Sequence, residues 1–249
     1  MTVALDESQV RALLLDIEGT TTPIDFVTRT LYPYARQRLE QFLQRSPREP
    51  SVSEAIDGLR KQPELDAAEK REPPLWKEDS PEAKISSAIA YARWLMDRDS
   101  KCTALKSLQG KIWREGYEKG ELRGEVFPDV PAAFARWSQQ GKRVSIFSSG
   151  SVLAQKLLFA TTTAGDLSQF IQAYFDTTTG VKTDPQSYLR IAGALALTAR
   201  EILFISDVVK ELDAAIQAGM QTALCVRTQF FEESGKKHGV IRSFEEVFP

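Results

Sequence analysis

The stretch LLLDIEGTTTPIDF, residues 13–26, begins with an apolar run and then changes to acidic and turn-forming residues. The apolar run is short and does not alternate with polar residues, which is typical of a strand buried on both faces of a parallel sheet. It ends at two carboxylates one residue apart, Asp16 and Glu18. Residues i and i+2 of an extended segment face the same side, so both carboxylates are expected in the crevice at the strand's carboxyl end, where open α/β sheets bind ligands.

Placing two carboxylates side by side is costly. At a separation of about 4 Å they repel by roughly 4 kcal/mol for an effective dielectric constant of about 20. A cation, a proton or a polar network must offset this repulsion, and a divalent metal ion is the natural candidate. The alternative is an ordinary strand end followed by an Asp/Gly/Thr turn.

The composition narrows the possible partners. The chain has 249 residues, 42% of them hydrophobic and 27% charged, which suits one large domain or a core domain with a smaller insert. The formal net charge is −2 and the cations are interspersed with acids, so we expect a small-molecule partner and no nucleic acid. Because we find neither an apolar run of about 18 residues nor a leader-like start, we expect a cytoplasmic protein without a membrane partner.

The cysteines and the histidine exclude several kinds of site. Cys102 and Cys225 cannot form a disulfide framework and suit a reducing compartment. The single histidine, His238, lies in the polar stretch EESGKKHG, where a solvated loop position is expected. Most Ser-His-Asp, Cys-His and histidine-rich metal sites are therefore excluded.

Strands and helices alternate along the second half of the chain. Strands are predicted at 12–17, 143–148, 173–177, 201–206 and 221–226. Helices are predicted at 129–140, 151–162, 185–196 and 209–219. This alternation predicts an α/β fold with a doubly wound, mostly parallel sheet.

More than a hundred residues separate the first two predicted strands, far beyond an ordinary connection. They contain helical patterns at 29–45, 80–100 and 104–120, and a charged, proline-containing segment at 60–81 that we expect to be exposed. We therefore predict a core domain formed by 1–22 and 126–249, with a helical cap domain inserted at 23–125.

Polar residues follow the later strands as well. Ser148 and Ser149 precede a helix whose free amides can bind an anion, or they cap that helix. Lys182 lies in a turn before a helix, where it can meet phosphate oxygens or simply face solvent. Asp207 ends the fourth predicted strand, where it can belong to a site or cap a helix, and Glu211 lies one helical turn later.

The order of acid pair, serine, lysine and acid resembles the haloacid dehalogenase superfamily of phosphotransferases. Its four motifs would be DIEGT, Ser148, Lys182 and SDVVKE. The superfamily usually has Asp where this chain has Glu18, and this difference matches the enolase-phosphatase branch. The segments LQGKIWREGYEKGELRGEVFPDV at 108–130 and SSGSVLAQKLLF at 148–159 resemble the same branch.

The resemblance implies a Rossmann-like core and a phosphatase mechanism. Asp16 would be the nucleophile that forms an aspartyl-phosphate, and Glu18 would serve as acid and base. Lys182 would offset the charge on the phosphate and the nucleophile. The residues implied to bind the phosphate are Ser148, Ser149, the Gly150 amide and Lys182.

The resemblance also implies one Mg²⁺ ion per chain. The Asp16 and Asp207 carboxylates and the Glu18 main-chain carbonyl would hold it, with Glu211 as a weaker candidate for support through water. The implied substrate is the phosphorylated diketone 2,3-diketo-5-methylthiopentyl-1-phosphate, which is enolised and then dephosphorylated to an acireductone in methionine salvage. A monomer is implied, and the sequence identifies no base for enolisation.

The sequence leaves two alternative functions open. One is a phosphatase of the same superfamily that acts on another small phosphate ester. The other is a signalling receiver module, which also pairs acids at a strand end and uses a phosphorylated Asp with a Lys. A receiver normally has its phosphoacceptor on a later strand and lacks a large helical insert, which disfavours it here.

Overall fold

The computed structural model describes residues 7–45, 47, 49–62, 66, 71–100, 102–227 and 237–249. The chain forms two compact units, one from Met1–Val27 with Arg123–Pro249 and the other from Thr28–Leu122. We call them the sheet unit and the helical unit. The domain limits expected from the sequence, with a cap at 23–125, stay a prediction.

The strands of the described residues all belong to the sheet unit. They are β1 (Ala12–Leu15), β2 (Arg143–Phe147), β3 (Ile171–Phe175), β4 (Ile202–Ser206), β5 (Gln221–Cys225) and β6 (Gly239–Ile241). The longer helices, in chain order, are α1 (Tyr32–Arg45), α2 (Pro50–Arg60), α3 (Pro81–Met96), α4 (Thr103–Glu118), α5 (Val130–Gln139), α6 (Val152–Ala160), α7 (Pro185–Ala194) and α8 (Val209–Gln217). A short helix, Ile24–Phe26, and a π-helical turn, Val27–Leu31, precede α1.

The sheet of the described residues has the order β3-β2-β1-β4-β5-β6, and every pair in it is parallel. The central strand β1 is completely buried, as its continuous apolar sequence requires. Leu15 at its end pairs with Ile146 of β2 and with Ile205 of β4. The carboxyl ends of three strands therefore lie side by side, and the predicted doubly wound α/β fold is confirmed.

Buried side chains of α7 and α8 pack against the sheet. Tyr188 of α7 contacts Phe147 edge to face and Phe204 in a tilted arrangement, with ring centroids 5.6 and 5.1 Å apart. Ile191 of α7 and Leu212 of α8 belong to the same apolar cluster. Burial of these aromatic and aliphatic groups stabilises the part of the sheet where polar residues follow the carboxyl ends of the strands.

Some predicted elements differ from those observed. β3 begins two residues before the predicted start, and the pairing of β2 with β3 is irregular at Val144/Ser145. The predicted helix at 29–45 divides into the π-helical turn and α1, while α2 and β6 had no prediction. Within the described ranges, every helix is too short or too polar to span a lipid bilayer.

The prediction of a solvated His238 was wrong, because this residue is only 1% exposed. Its Nδ1 lies 2.7 Å from the hydroxyl of Thr222 in β5, and its Nε2 lies 3.5 Å from Asp213 of α8. The strand β6 follows directly and pairs with β5, so the imidazole is carried to the edge of the sheet.

The helical unit has a polar contact inside it. The Tyr91 hydroxyl of α3 donates to the Asp66 carboxylate, which is 2% exposed and also pairs with Arg71 at 3.1 Å. The segment 60–81 was expected to be exposed, which is wrong for Asp66. Residues 63–65 and 67–70 of that segment lie outside the described residues.

Candidate active site

Asp16 directly follows β1 and is only 5% exposed. Its amide donates to the Ile205 carbonyl at 3.0 Å, which continues the pairing of β1 with β4 by one residue. The same register brings Ser206 beside it, with the Ser206 hydroxyl 3.0 Å from Asp16 Oδ2. The backbones of two neighbouring strands therefore fix the position of this carboxylate.

Lys182 is the cation that faces Asp16. Its Nζ lies 2.7 Å from Asp16 Oδ1 and 2.5 Å from Glu211 Oε2. Burial by itself would lower the pKa of the Lys182 ammonium, but the carboxylates of Asp16 and Glu211 outweigh burial and raise it. The lysine is therefore charged at neutral pH and offsets the negative charge at the end of β1.

Glu211, in the first turn of α8, belongs to the same cluster. Burial raises the pKa of the Glu211 carboxyl, the charge of Asp16 raises it further, and Lys182 opposes both effects. From the sequence, Glu211 was a weaker candidate for support of a metal ion. In the structure it contacts Lys182 and the Ser206 hydroxyl.

The hydrophobic core anchors the turn that carries Lys182. The hydroxyl of Tyr188, a fully buried residue of α7, donates to the Lys182 carbonyl at 2.7 Å. The Ser187 hydroxyl donates to the neighbouring Val181 carbonyl, also at 2.7 Å. These bonds fix the backbone of the turn, so the long lysine side chain starts from a rigid position.

Asp207 lies one residue beyond β4. Its Oδ1 is shielded from solvent and has no hydrogen-bond partner among the described residues. Burial, and then the charge of Asp16, raise the pKa of the Asp207 carboxyl to about 7. Gly19 stands against it with φ +74°, and a Cβ at that position would collide with the Asp207 carboxylate. Only glycine suits both this backbone angle and this close approach.

The loop after Asp16 turns tightly. The Ile17 carbonyl accepts hydrogen bonds from the amides of Thr20, Thr21 and Thr22 at 3.2, 3.0 and 2.9 Å, and all three threonines are completely buried. Glu18 is exposed. Because β1 ends at Leu15, the alternation of a strand no longer sets the direction of Glu18. Lys182, rather than a neighbour in the chain, offsets the Asp16 charge.

Arg227 also binds this loop, and the sequence analysis did not predict a role for this residue. Its Nε and Nη2 donate to the Thr20 carbonyl at 3.1 and 2.9 Å. Its Nη1 lies 2.6 Å from Asp129 Oδ2 in an ion pair whose side chains are 8% and 10% exposed. We call Arg227 and Asp129 the clamp pair. Nothing around Arg227 in the sequence indicated this role.

Three of the predicted phosphate-binding residues, Ser148, Ser149 and Gly150, form the loop after β2. Ser148 is buried, its hydroxyl accepts from the Gly150 amide at 3.2 Å, and Ser149 is exposed. The side chain that caps α6 is Ser151, which accepts from the Ala154 amide. Gln155 of α6 donates to the Gly150 carbonyl at 2.8 Å and so supports the loop.

The aromatic residues of α4, to which sequence reasoning gave no role, are explained partly by packing. The Trp113 indole donates to the Leu31 carbonyl at 2.8 Å and stacks on Tyr32 with ring centroids 6.3 Å apart. Tyr117 is 6% exposed, and its hydroxyl has no partner among the described residues. Burial raises the pKa of Tyr117.

The described residues contain no convergent group of three His, Cys, Asp or Glu side chains that could hold a metal ion. The predicted ligand set needs only two such carboxylates, because its third member is a main-chain carbonyl. Carboxylate oxygens without a donor, such as Asp207 Oδ1, are the hard ligands that Mg²⁺ prefers.

Comparison with known proteins identifies the class that this fold and site define. A family model described as haloacid dehalogenase-like hydrolase matches residues 10–219. Enolase-phosphatase E1 of Synechococcus elongatus is 49% identical over 96% of this chain and 98% of its own length. Enolase-phosphatase E1 of Serratia proteamaculans is 43% identical over 96% of both chains. The chain belongs to the enolase-phosphatase family of haloacid dehalogenase-like hydrolases.

Solved structures agree with this result. The crystal structure of UTR4 protein from Saccharomyces cerevisiae has a TM-score of 0.75 and 35% identity, and the match covers 96% of this chain and all of that one. CbbY from Rhodobacter sphaeroides has a TM-score of 0.56 at 16% identity, with 96% of each chain covered, and shows the fold alone. The resemblance stated from the motifs is confirmed, and the chain is a hydrolase rather than a receiver module.

Proposed function

We propose that this chain is a bifunctional enolase-phosphatase, an acireductone synthase that converts 2,3-diketo-5-methylthiopentyl-1-phosphate to the dephosphorylated acireductone in methionine salvage. Relatives named enolase-phosphatase E1, similar over nearly the whole chain, support this activity. The observation that supports it at the site is the buried Asp16 carboxylate, held 2.7 Å from Lys182 at the carboxyl end of the central strand.

Asp16 is the nucleophile. Its oxygen forms a bond to phosphorus while the bond from phosphorus to the ester oxygen breaks, and an aspartyl-phosphate results. Water then attacks phosphorus, the aspartyl bond to phosphorus breaks, and inorganic phosphate and Asp16 are released. Lys182 stays charged throughout and offsets the negative charge that gathers on the phosphoryl oxygens.

Glu18 moves the protons. Its carboxyl protonates the departing ester oxygen in the first step, and the resulting carboxylate takes a proton from the attacking water in the second. Its exposed side chain is consistent with this role, because an acid that serves a substrate must reach beyond the buried nucleophile. Ser148, Ser149 and the Gly150 amide bind the phosphoryl oxygens.

The residues present fit a Mg²⁺ ion. Asp207 Oδ1 is shielded from solvent and has no hydrogen-bond donor among the described residues. Burial and the charge of Asp16 raise the pKa of the Asp207 carboxyl to about 7. Gly19, which has no side chain, leaves room for the Asp207 carboxylate. The carboxylates of Asp16 and Asp207 and the Glu18 carbonyl would hold the ion. When bound, Mg²⁺ would neutralise charge on the phosphate and polarise an enolate oxygen. We also propose that the enzyme is a monomer and that it binds its small substrate in the cytoplasm. The free Cys102 and Cys225 agree with a reducing compartment.

An anaerobic time course with the diketo-phosphate and Mg²⁺ tests this function. Inorganic phosphate and the ultraviolet absorbance of the enol product are followed together, with and without chelator. We expect both signals to rise and both to vanish when the metal is removed. Phosphate release without the enol signal would leave a phosphatase for another small ester and would overturn the enolase assignment.

A further inference from the structure

Ser206 is the last residue of β4 and is completely buried. Leu15 and Ile205 are partners in neighbouring parallel strands, so the next residue of each strand, Asp16 and Ser206, also lie level. Their side chains point to the same side of the sheet, since paired residues share a face. The register of the sheet therefore presents a hydroxyl to the nucleophile.

The Ser206 hydroxyl has more partners than a simple helix cap needs. Its oxygen accepts from the Val208 amide at 3.1 Å, at the beginning of α8. It also lies 3.0 Å from Asp16 Oδ2 and 3.2 Å from Glu211 Oε2. A hydroxyl has one proton, so it donates to one of these two carboxylates at a time.

The two oxygens of Asp16 are held by different groups. Oδ1 accepts from the Ile17 amide and from Lys182 Nζ, both at 2.7 Å. At Oδ2, Ser206 is the donor that the described residues provide. A carboxylate turns about its Cβ–Cγ bond, which moves both oxygens together, so the contacts at Oδ1 and the Ser206 bond at Oδ2 restrain the same rotation from both sides.

We propose that Ser206 is a positioning residue for phosphoryl transfer: its hydroxyl donates to Asp16 Oδ2 and so restrains the rotation of the nucleophilic carboxylate. Lys182 Nζ contacts both Asp16 and Glu211, and the Ser206 oxygen lies 3.0 and 3.2 Å from the same two carboxylates, so the four side chains form one cluster. The inference rests on the proposed function only in that Asp16 is the nucleophile. Displacement of a reacting group by about 1 Å lowers reaction rates strongly. Loss of the Ser206 hydrogen bond should therefore lower kcat.

The test compares Ser206→Ala and Ser206→Cys with wild type, and uses p-nitrophenyl phosphate with Mg²⁺ as well as the diketo-phosphate. The matched control is Ser145→Ala, since Ser145 of β2 is equally buried and its hydroxyl has no partner among the described residues. We expect Ser206→Ala to lower kcat about 10- to 100-fold, the effect of losing a hydrogen bond to a charged group. KM should change by less than about threefold, because substrate contacts remain.

Ser206→Cys, a weaker donor of similar size, should recover part of kcat, and Ser145→Ala should match wild type. If Ser206→Ala does not fold, the Cys variant decides: a kcat equal to wild type contradicts the proposal. A loss confined to thermal stability, with kcat unchanged, also overturns it. Wild-type turnover of p-nitrophenyl phosphate without turnover of the diketo-phosphate would reject the proposed substrate while leaving Ser206 tested.

Discussion

Two buried groups of charged side chains, one around Arg227 and one around Lys182, differ in character among the described residues of the sheet unit. In the clamp pair, Asp129 Oδ2 accepts from Arg227, from the Phe244 amide at 2.6 Å and from the Ser243 hydroxyl at 3.1 Å. Burial alone would raise the pKa of Asp129, but Arg227 and the Phe244 amide outweigh it and lower the pKa.

In the second group, Lys182 faces an excess of negative charge. Asp16 and Glu211 both contact this single lysine. Asp207 Oδ1 has no donor in the described part of the chain, and burial together with the charge of Asp16 raises the pKa of the Asp207 carboxyl. Removal of one partner from a buried pair whose hydrogen bonds are complete destabilises the fold, whereas a buried group with surplus charge can take up a ligand. The following predictions test this contrast.

The largest effect is expected for Asp16→Asn. An amide cannot form the aspartyl-phosphate, so phosphate release should fall by at least about 10⁴-fold. The fold should persist, because the substitution lowers the surplus of negative charge and Glu211 still neutralises Lys182. Phosphate assays and thermal unfolding measure the two quantities; turnover close to that of wild type would refute the nucleophile assignment.

Asp129→Asn should lower stability and leave most of the activity, the reverse of what is expected for Asp16→Asn. Removal of one partner leaves Arg227 buried and unpaired, so the free energy of unfolding should fall by about 3–5 kcal/mol. Folded molecules should keep most of their activity. Urea unfolding measures the loss, and the double variant with Arg227→Met is the control. If the double variant loses as much as the sum of the single variants, the two residues do not act as a pair.

Asp207→Asn should stabilise the metal-free protein. With its pKa raised to about 7, Asp207 stays protonated in the fold while the unfolded chain ionises, so its contribution to stability falls as pH rises toward 7. The variant should therefore gain about 1–3 kcal/mol near pH 8 and less near pH 5. Urea unfolding with chelator at both pH values gives the result, and an equal gain at both would contradict the assignment.

The smallest effect is expected from His238 and concerns the pH dependence of stability. Burial lowers the pKa of the imidazole, although Asp213 opposes this, and Lys237 adds to it. Below the ordinary histidine pKa the unfolded chain takes up a proton that the fold resists, so this contribution to stability is lost as pH falls. Because the chain has one histidine, a proton NMR titration is unambiguous. His238→Gln is the control, and a pKa above about 6.5 would contradict burial as the cause.

Much of the sheet was predictable, because strands buried on both faces must be continuous apolar runs. β1, β2, β4 and β5 lie within the predicted ranges for this reason. β6 has only three residues and exists through its pairing with β5, so no local pattern marks it. His238 was misjudged for the same reason, since its polar neighbours in the chain indicate solvent while its neighbours in space do not.

The sequence also placed acids, serine and lysine at the ends of strands, and the structure brings Asp16 and Lys182 together there. It could not reveal that Glu211 contacts Lys182, that Ser206 bridges the two carboxylates, or that Arg227 reaches the Thr20 carbonyl. Arg227 is separated by 207 residues from Thr20, and such a contact has no periodic signal.

Hydrophobic periodicity and strand-end residues are local properties of the chain, so the class of fold, the order of the motifs and the family can be inferred from the sequence alone. The balance of charges, in contrast, depends on contacts between segments that are distant in the chain. Parallel register sets side chains from distant segments level with one another, and burial then decides whether each carboxylate is paired, like Asp129, or left in surplus, like Asp207.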